Sequence, residues 1–162
     1  MRFGLRTNLK SRWTPRGIRP RGDFKIGYQW GYLYAAVNPK EGLLQAWLMP
    51  DMQQNTFQCF MDDFSKNTQD ESLLILDGAP CHRSKLRLAE NVSLMLLPAY
   101  SSELNPVERL FQELRKTLSN QVFDSISEVE DLLQQALKPY FQNRQKLRQL
   151  TLYPWMKTET IS

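Results

Sequence analysis

Cysteine and histidine are the scarcest chemistry in this chain. Its 162 residues hold two cysteines, Cys59 and Cys81, and one histidine, His82. Two thiols are too few for a disulfide framework, and no second Cys/His pair exists to build a zinc site. The expectation is a reduced, cytoplasmic protein. Cys81 and His82 are neighbours in sequence, a poor geometry for a nucleophile and its base, and no third orienting group accompanies them, which argues against a thiol hydrolase. Apolar runs are short: none approaches the ~18 residues of a membrane span. The opening residues, Met1 to Asn8, lack the apolar segment and small-residue cleavage site of a signal peptide. Internal repeats and low-complexity segments are absent too.

Acidic residues are almost missing from the first 27 positions. Arg2, Arg6, Lys10, Arg12, Arg16, Arg19, Arg21 and Lys25 stand there against Asp23 alone, a local charge of +7 in a chain of net +4. A basic arm of this kind is an electrostatic footprint for phosphates, and Trp13 adds a stacking surface. A solvated tail has the same composition.

What is present in quantity is apolar and aromatic residue, 41% and 11% of the chain, enough for one domain with a real core. Phe3-Gly4-Leu5 reads as the end of a strand. Residues 6–23, with Pro15, Gly17, Pro20 and Gly22, read as a loop. Phe24, Ile26, Tyr28, Trp30, Tyr32 and Tyr34 alternate, which predicts a strand over 24–37, then a turn at 38–42 and a partner strand over 43–49. Phe57, Phe60, Met61 and Phe64 give a helical stripe over 55–66 with Asn55 as its cap.

Ser72-Leu73-Leu74-Ile75-Leu76-Asp77-Gly78-Ala79-Pro80 is the stretch around which the rest is arranged. A continuous apolar run ended by turn residues predicts a buried central strand with Asp77 at its carboxyl end, where open α/β sheets place working groups. Asp-Gly is also an ordinary turn pair, and Asp77 can serve as that alone. Residues 92–97 form a second short apolar run. Asn105-Pro106-Val107-Glu108 then opens a helix whose stripe is Val107, Leu110, Phe111, Leu114 and Leu118. Glu108 has two readings at even weight: a capping-box carboxylate or a metal ligand facing Asp77. A last helix starts near Ser125 or Ser127 and carries Val129, Leu132, Leu133, Ala136 and Leu137, with Pro139 set to kink or interrupt it. Tyr153-Pro154-Trp155 is a candidate local anchor. The mixture of strands and helices predicts an α/β domain.

The segments from Ile75 to His82 and from Leu96 to Phe111 (Leu-Leu-Pro-Ala-Tyr-Ser-Ser-Glu-Leu-Asn-Pro-Val-Glu-Arg-Leu between them) closely resemble the catalytic half of mariner-like transposases, in the branch of bacterial insertion sequences. Arg2-Phe3-Gly4-Leu5-Arg6 and Tyr34-Ala35-Ala36-Val37-Asn38-Pro39 are similar to that branch as well, and the resemblance extends to about Arg115. It implies an RNase H-like mixed sheet flanked by helices, and an Asp-Asp-Glu triad that cuts and joins DNA with Mg²⁺ or Mn²⁺. Asp77 then matches the second Asp, and Glu108 the third acid; Glu103 falls in the approach loop. The family carries its first Asp in an Asp-Glu pair just before the segment matching Arg2-Phe3-Gly4, where this chain has Met1, and Asp23 is a poor substitute. The first strand is therefore expected to be largely missing, as is a helix-turn-helix region for reading transposon ends. Ser102 stands where the family usually has proline.

These features set the expectations. Residues 1–120 form a partial catalytic domain and 121–162 its helical extension. Asp77 and Glu108 are the catalytic and metal-binding residues. Arg6, Lys10, Arg12, Arg16 and His82 contact DNA, both transposon ends and target. The resemblance also implies a homodimer, or fusion with an upstream reading frame, acting at the bacterial nucleoid with no membrane. An incomplete triad would cost orders of magnitude in rate, so the chain alone is expected to be nearly inactive. The alternative is a non-enzymatic DNA-binding remnant or an inhibitor of full-length transposase.

Overall fold

The computed structural model describes residues 1–68, 70–79 and 86–157. In chain order the elements are β1 (Arg2–Gly4), β2 (Trp30–Asn38), β3 (Leu43–Met49), α1 (Gln54–Asn67), β4 (Ser72–Leu76), β5 (Val92–Leu96), α2 (Val107–Leu118), α3 (Ile126–Gln142) and α4 (Arg144–Thr151), with short 3₁₀ turns at Ser102–Leu104 and Pro154–Lys157. β1, β2 and β3 make an antiparallel sheet in that order, and β4 and β5 a parallel pair.

Alternation along β2 explains the layering. Leu33, Ala35 and Val37 point into one core, with Val107, Leu110 and Leu114 of α2 and Val129, Leu133 and Leu137 of α3. Tyr32, Tyr34 and Ala36 point into the other, with Phe57, Phe60 and Met61 of α1 and with Leu76 and Val92 of the parallel pair. Successive strand residues face opposite ways, so a strand with apolar residues at nearly every position is one covered on both faces. The rings of Tyr34, Phe57 and Phe60 pack with centroids 5.7 to 6.2 Å apart, within the favourable range for aromatic pairs. The architecture is a mixed α/β sandwich, α1 on one side and α2 to α4 on the other.

β1 runs from Arg2 opposite Tyr32 to Gly4 opposite Trp30. The ladder extends one residue further, since Met1 and Leu33 exchange both backbone hydrogen bonds, at 2.6 and 2.7 Å.

Three local expectations are corrected. The strand predicted over 24–37 begins at Trp30. Residues 24–29 run beside residues 5–7 through isolated bonds, such as Leu5 N to Gln29 O and Thr7 N to Lys25 O, while Phe24, Ile26 and Tyr28 are exposed. Alternation there reports an extended chain without reporting burial. Asn55 lies inside α1 and does not cap it; the helix starts after Gln53 with no side-chain cap, and Asp51 braces the approach, its Oδ1 accepting from the Gln53 N–H at 2.9 Å and the Thr56 hydroxyl at 2.5 Å. α3 is not interrupted at Pro139 but runs on to Gln142, after which the Asn143 N–H donates to the Pro139 carbonyl.

Candidate active site

The carboxyl end of β4 delivers Asp77 to the surface, because Leu74 and Leu76 are held against the phenylalanines of α1 and the strand can go no further into the turn. Asp77 Oδ1 accepts from the Ala79 N–H at 3.1 Å, an Asx turn. The turn role read from sequence is therefore present.

Glu108 is the second residue of α2 and half-buried. Asn105 Oδ1 accepts from the Val107 N–H at 3.3 Å, which caps the helix. The Glu108 carboxylate does not close the capping box. Its Oε2 instead accepts from Arg115 Nη1 at 3.3 Å. Arg115 lies seven residues, two turns, further along α2, so both side chains project from one face. A heptad-spaced Glu and Arg on a predicted helix is the signal that would have picked out Arg115, which sequence reasoning missed.

The Met1 ammonium, half-buried at the start of β1, feels both acids. Burial pushes its pKa from 8.0 down to about 6; Glu108 pulls it back up, Arg115 lowers it further and Asp77 raises it. Desolvation disfavours the charged amine, and the opposing pull of two carboxylates means that both act on one point. Asp77, Glu108, Arg115 and the start of β1 thus share one electrostatic neighbourhood, carried by three elements distant in sequence.

The basic arm goes elsewhere. Arg6, Lys10, Arg12 and Arg16 are exposed, and the arm is pinned beyond the far end of α2. Lys10 N donates to Asn120 Oδ1 at 3.0 Å, Arg12 Nη2 to the Asn120 carbonyl at 3.3 Å, and Lys25 Nζ pairs with Asp124 at 2.7 Å. α2 ends at Leu118, ten positions past Glu108 and about 15 Å at the helical rise, and Asn120 follows it. Arg16 sits in a turn closed by Thr14 Oγ1 donating to the Ile18 carbonyl, with Trp13 beside it wholly exposed. His82 and Cys81 lie outside the described residues.

Two carboxylates are oxygen donors of the kind that hard divalent cations take, and Mg²⁺ commonly uses one or two of them with substrate phosphates. Among the described residues no group of three or more His, Cys, Asp or Glu side chains could hold a metal ion. Among the described residues, no helix is long and apolar enough to cross a membrane.

Comparison with known proteins bears on the fold and the family. The chain is 34% identical over 104 residues to the uncharacterized protein y4pE/y4sA of Sinorhizobium fredii (strain NBRC 101917 / NGR234), a match spanning 62% of this chain and 77% of that protein. Its fold is similar to that of the Mos1 strand transfer complex (TM-score 0.63, 17% identity) and of the Mos1 transposase paired-end complex with left transposon end (TM-score 0.61, 19% identity). Both matches cover 92% of this chain and 50% of the other, so the chain spans about half the length of the solved chains it resembles. The RNase H-like α/β fold expected from the sequence is the fold they share. The family model for the DDE superfamily endonuclease matches residues 1–132, and the chain belongs to that family.

Proposed function

We propose that this chain is the catalytic portion of an insertion-sequence transposase, whose intact form cleaves DNA phosphodiesters and joins the freed 3′-hydroxyl to target DNA. The observation that carries the reading is the placement of two carboxylates, Asp77 at the carboxyl end of β4 and Glu108 in the first turn of α2. Family membership and the fold shared with Mos1 transposase support it. The solved Mos1 transposase forms a paired-end complex with a transposon end, which supports DNA as the partner here. A homodimer, or fusion with an upstream frame, belongs to the same proposal.

In this reading Asp77 and Glu108 would hold Mg²⁺ or Mn²⁺. The bound ions would supply activation of the attacking water and stabilisation of the leaving oxygen. The residues themselves do two things. Asp77 keeps one oxygen on the Ala79 N–H, which fixes the carboxylate at the strand end. Arg115 neutralises Glu108 until a stronger cation competes for it. The arm residues Arg6, Lys10, Arg12 and Arg16, with His82, would track the phosphate backbone.

A second reading rests on the basic arm, whose Arg6, Lys10, Arg12 and Arg16 are all exposed. A DNA-binding product without chemistry would keep the arm and lose the cut. Asp77→Asn and Glu108→Gln in the longest native form of the protein separate the two. Asn still accepts from Ala79 and Gln still accepts from Arg115, so the fold is preserved. We expect metal-dependent DNA cleavage to fall at least a hundredfold in each variant, with DNA affinity and its salt dependence unchanged. Equal cleavage by variants and wild type would sink the assignment of these two acids, and no cleavage by any form would favour the binding reading.

A further inference from the structure

A second site lies at the other end of β2. The strand passes from Leu33, which bonds Met1, to Asn38, five residues on and about 17 Å away at the strand rise. There the turn to β3 faces α4 and the 3₁₀ turn Pro154–Lys157 across a cavity of about 520 Å³. Its lining includes Lys40, Arg148 and Lys157, the amides Gln145 and Gln149, and an apolar contribution from Leu152. No carboxylate lines it. Among the described residues none of the three cations has an ion-pair partner.

The three cations are separately anchored. Asn38 Oδ1 accepts from the N–H groups of Lys40 and Glu41, both at 3.1 Å, which closes the turn. Gly42, at φ +68°, packs so tightly that a Cβ would lie 2.2 Å from the Arg144 carbonyl oxygen, so the turn and the start of α4 are in fixed register. Leu147 and Thr151 are wholly buried on the inner face of α4, which turns Gln145, Arg148 and Gln149 outward. Arg109 donates to the Leu150 carbonyl at 3.3 Å and lies 4.1 Å over the Tyr153 ring, which stacks on Trp155. Those contacts hold the turn that carries Lys157.

Three like charges round one concavity make a positive potential that an anion relieves. Arginine offers a planar fork matched to phosphate oxygens, lysine a point charge, and the two amides further donors. We propose that this cavity binds phosphate groups of a nucleic-acid backbone, as a contact separate from the basic arm. The inference rests on the reading that the protein acts on DNA. A distance of ~17 Å from Met1 corresponds to about five base pairs of duplex.

The test is duplex DNA affinity of the full chain across a salt series, for wild type, for Lys40→Gln/Arg148→Gln/Lys157→Gln, and for Lys157→Gln alone. The single change, in an exposed turn, guards against misfolding of the triple variant. We expect the triple variant to lose at least tenfold in affinity at fixed salt, and the slope of log K against log salt to flatten by about 2 to 3, or by about 1 for the single change. Wild-type affinity and slope in both variants would overturn the site. So would loss of inorganic phosphate binding with the DNA slope unchanged, which would make the cavity a free-phosphate site. A wild-type chain that binds no DNA at any salt fails the transposase reading itself, and the cavity proposal with it.

Discussion

Gly42 shows how much one residue decides. Its φ of +68° is a left-handed conformation that side chains rarely adopt. The space a Cβ would need is taken by the backbone of Arg144, which cannot swing aside as a flexible side chain could. Gly42→Ala therefore meets two penalties at once, a strained backbone and a clash at the start of α4. We expect a loss of about 1 to 3 kcal/mol, read as a lower urea midpoint at unchanged m-value. A midpoint equal to wild type would mean that the β2–β3 turn and α4 are not in the register described. Glu108 teaches a related point. Its local sequence allowed a capping box, yet the carboxylate is bonded to Arg115, because a charged partner two turns along outbids a backbone N–H one turn back.

β4 and β5 are covered on one face only. Leu74 and Leu76 meet α1, while Leu73 and Ile75, at 57% and 44% exposure, and Met95 at 46%, look out on the side that α2 and α3 cover elsewhere. Exposed apolar residues clustered on a sheet face promote association. Leu73→Thr/Ile75→Thr keeps β-propensity and removes apolar surface, so we expect less self-association by light scattering with the melting midpoint held. A marked drop in that midpoint would show that both side chains are packed in the free chain. The same strand marks how far sequence reading reaches. A four-residue apolar run ended by Asp77 announced β4 and its terminus, but the strand expected to be central and buried is one of a two-stranded pair with Leu73 and Ile75 exposed; the stripes Phe57–Phe60–Phe64 and Val107–Leu110–Leu114 announced α1 and α2, because a buried face imposes its period on composition. What stayed hidden were relations between elements: that Tyr28 is exposed while Tyr34, in the same alternating series, is core, that Asp51 bonds Thr56 inside the helix that follows it, and that Lys40 shares a cavity with Arg148 and Lys157. Such relations are set by tertiary contacts, which leave no local periodicity.

Across the whole molecule, charge is distributed against the fold. The N-terminal 27 residues carry +7 and the remainder −3, so the arm is drawn to the body by the same force that would draw it to a polyanion. Lys25 and Asp124 are one point of attachment, at 2.7 Å on the surface. The Lys25 hydrogen bond, and then its charge, hold the Asp124 carboxyl below its usual 3.8. The sign follows from proton binding. The unfolded or detached state binds the proton more readily, so the attachment is fully present above about pH 3.8 and weakens as pH falls through the lowered value. Because Asp124 is exposed, the contribution is small and salt will screen it. We expect amide protection over residues 20–27, relative to the intrinsic exchange rate at each pH, to fall on acidification below that point and on adding salt at neutral pH. Asp124→Asn should show the lower protection at every pH, with no acid step of its own. An acid step that survives in Asp124→Asn would assign the attachment to another carboxylate. Backbone bonds such as Asn120 N to the Asn8 carbonyl, at 2.8 Å, do not titrate and hold residues 8–12 throughout. Acid or salt should therefore free the arm from its Lys25 end first, leaving Lys10 and Arg12 moored at Asn120 while Arg19 and Arg21 gain reach toward a phosphate backbone.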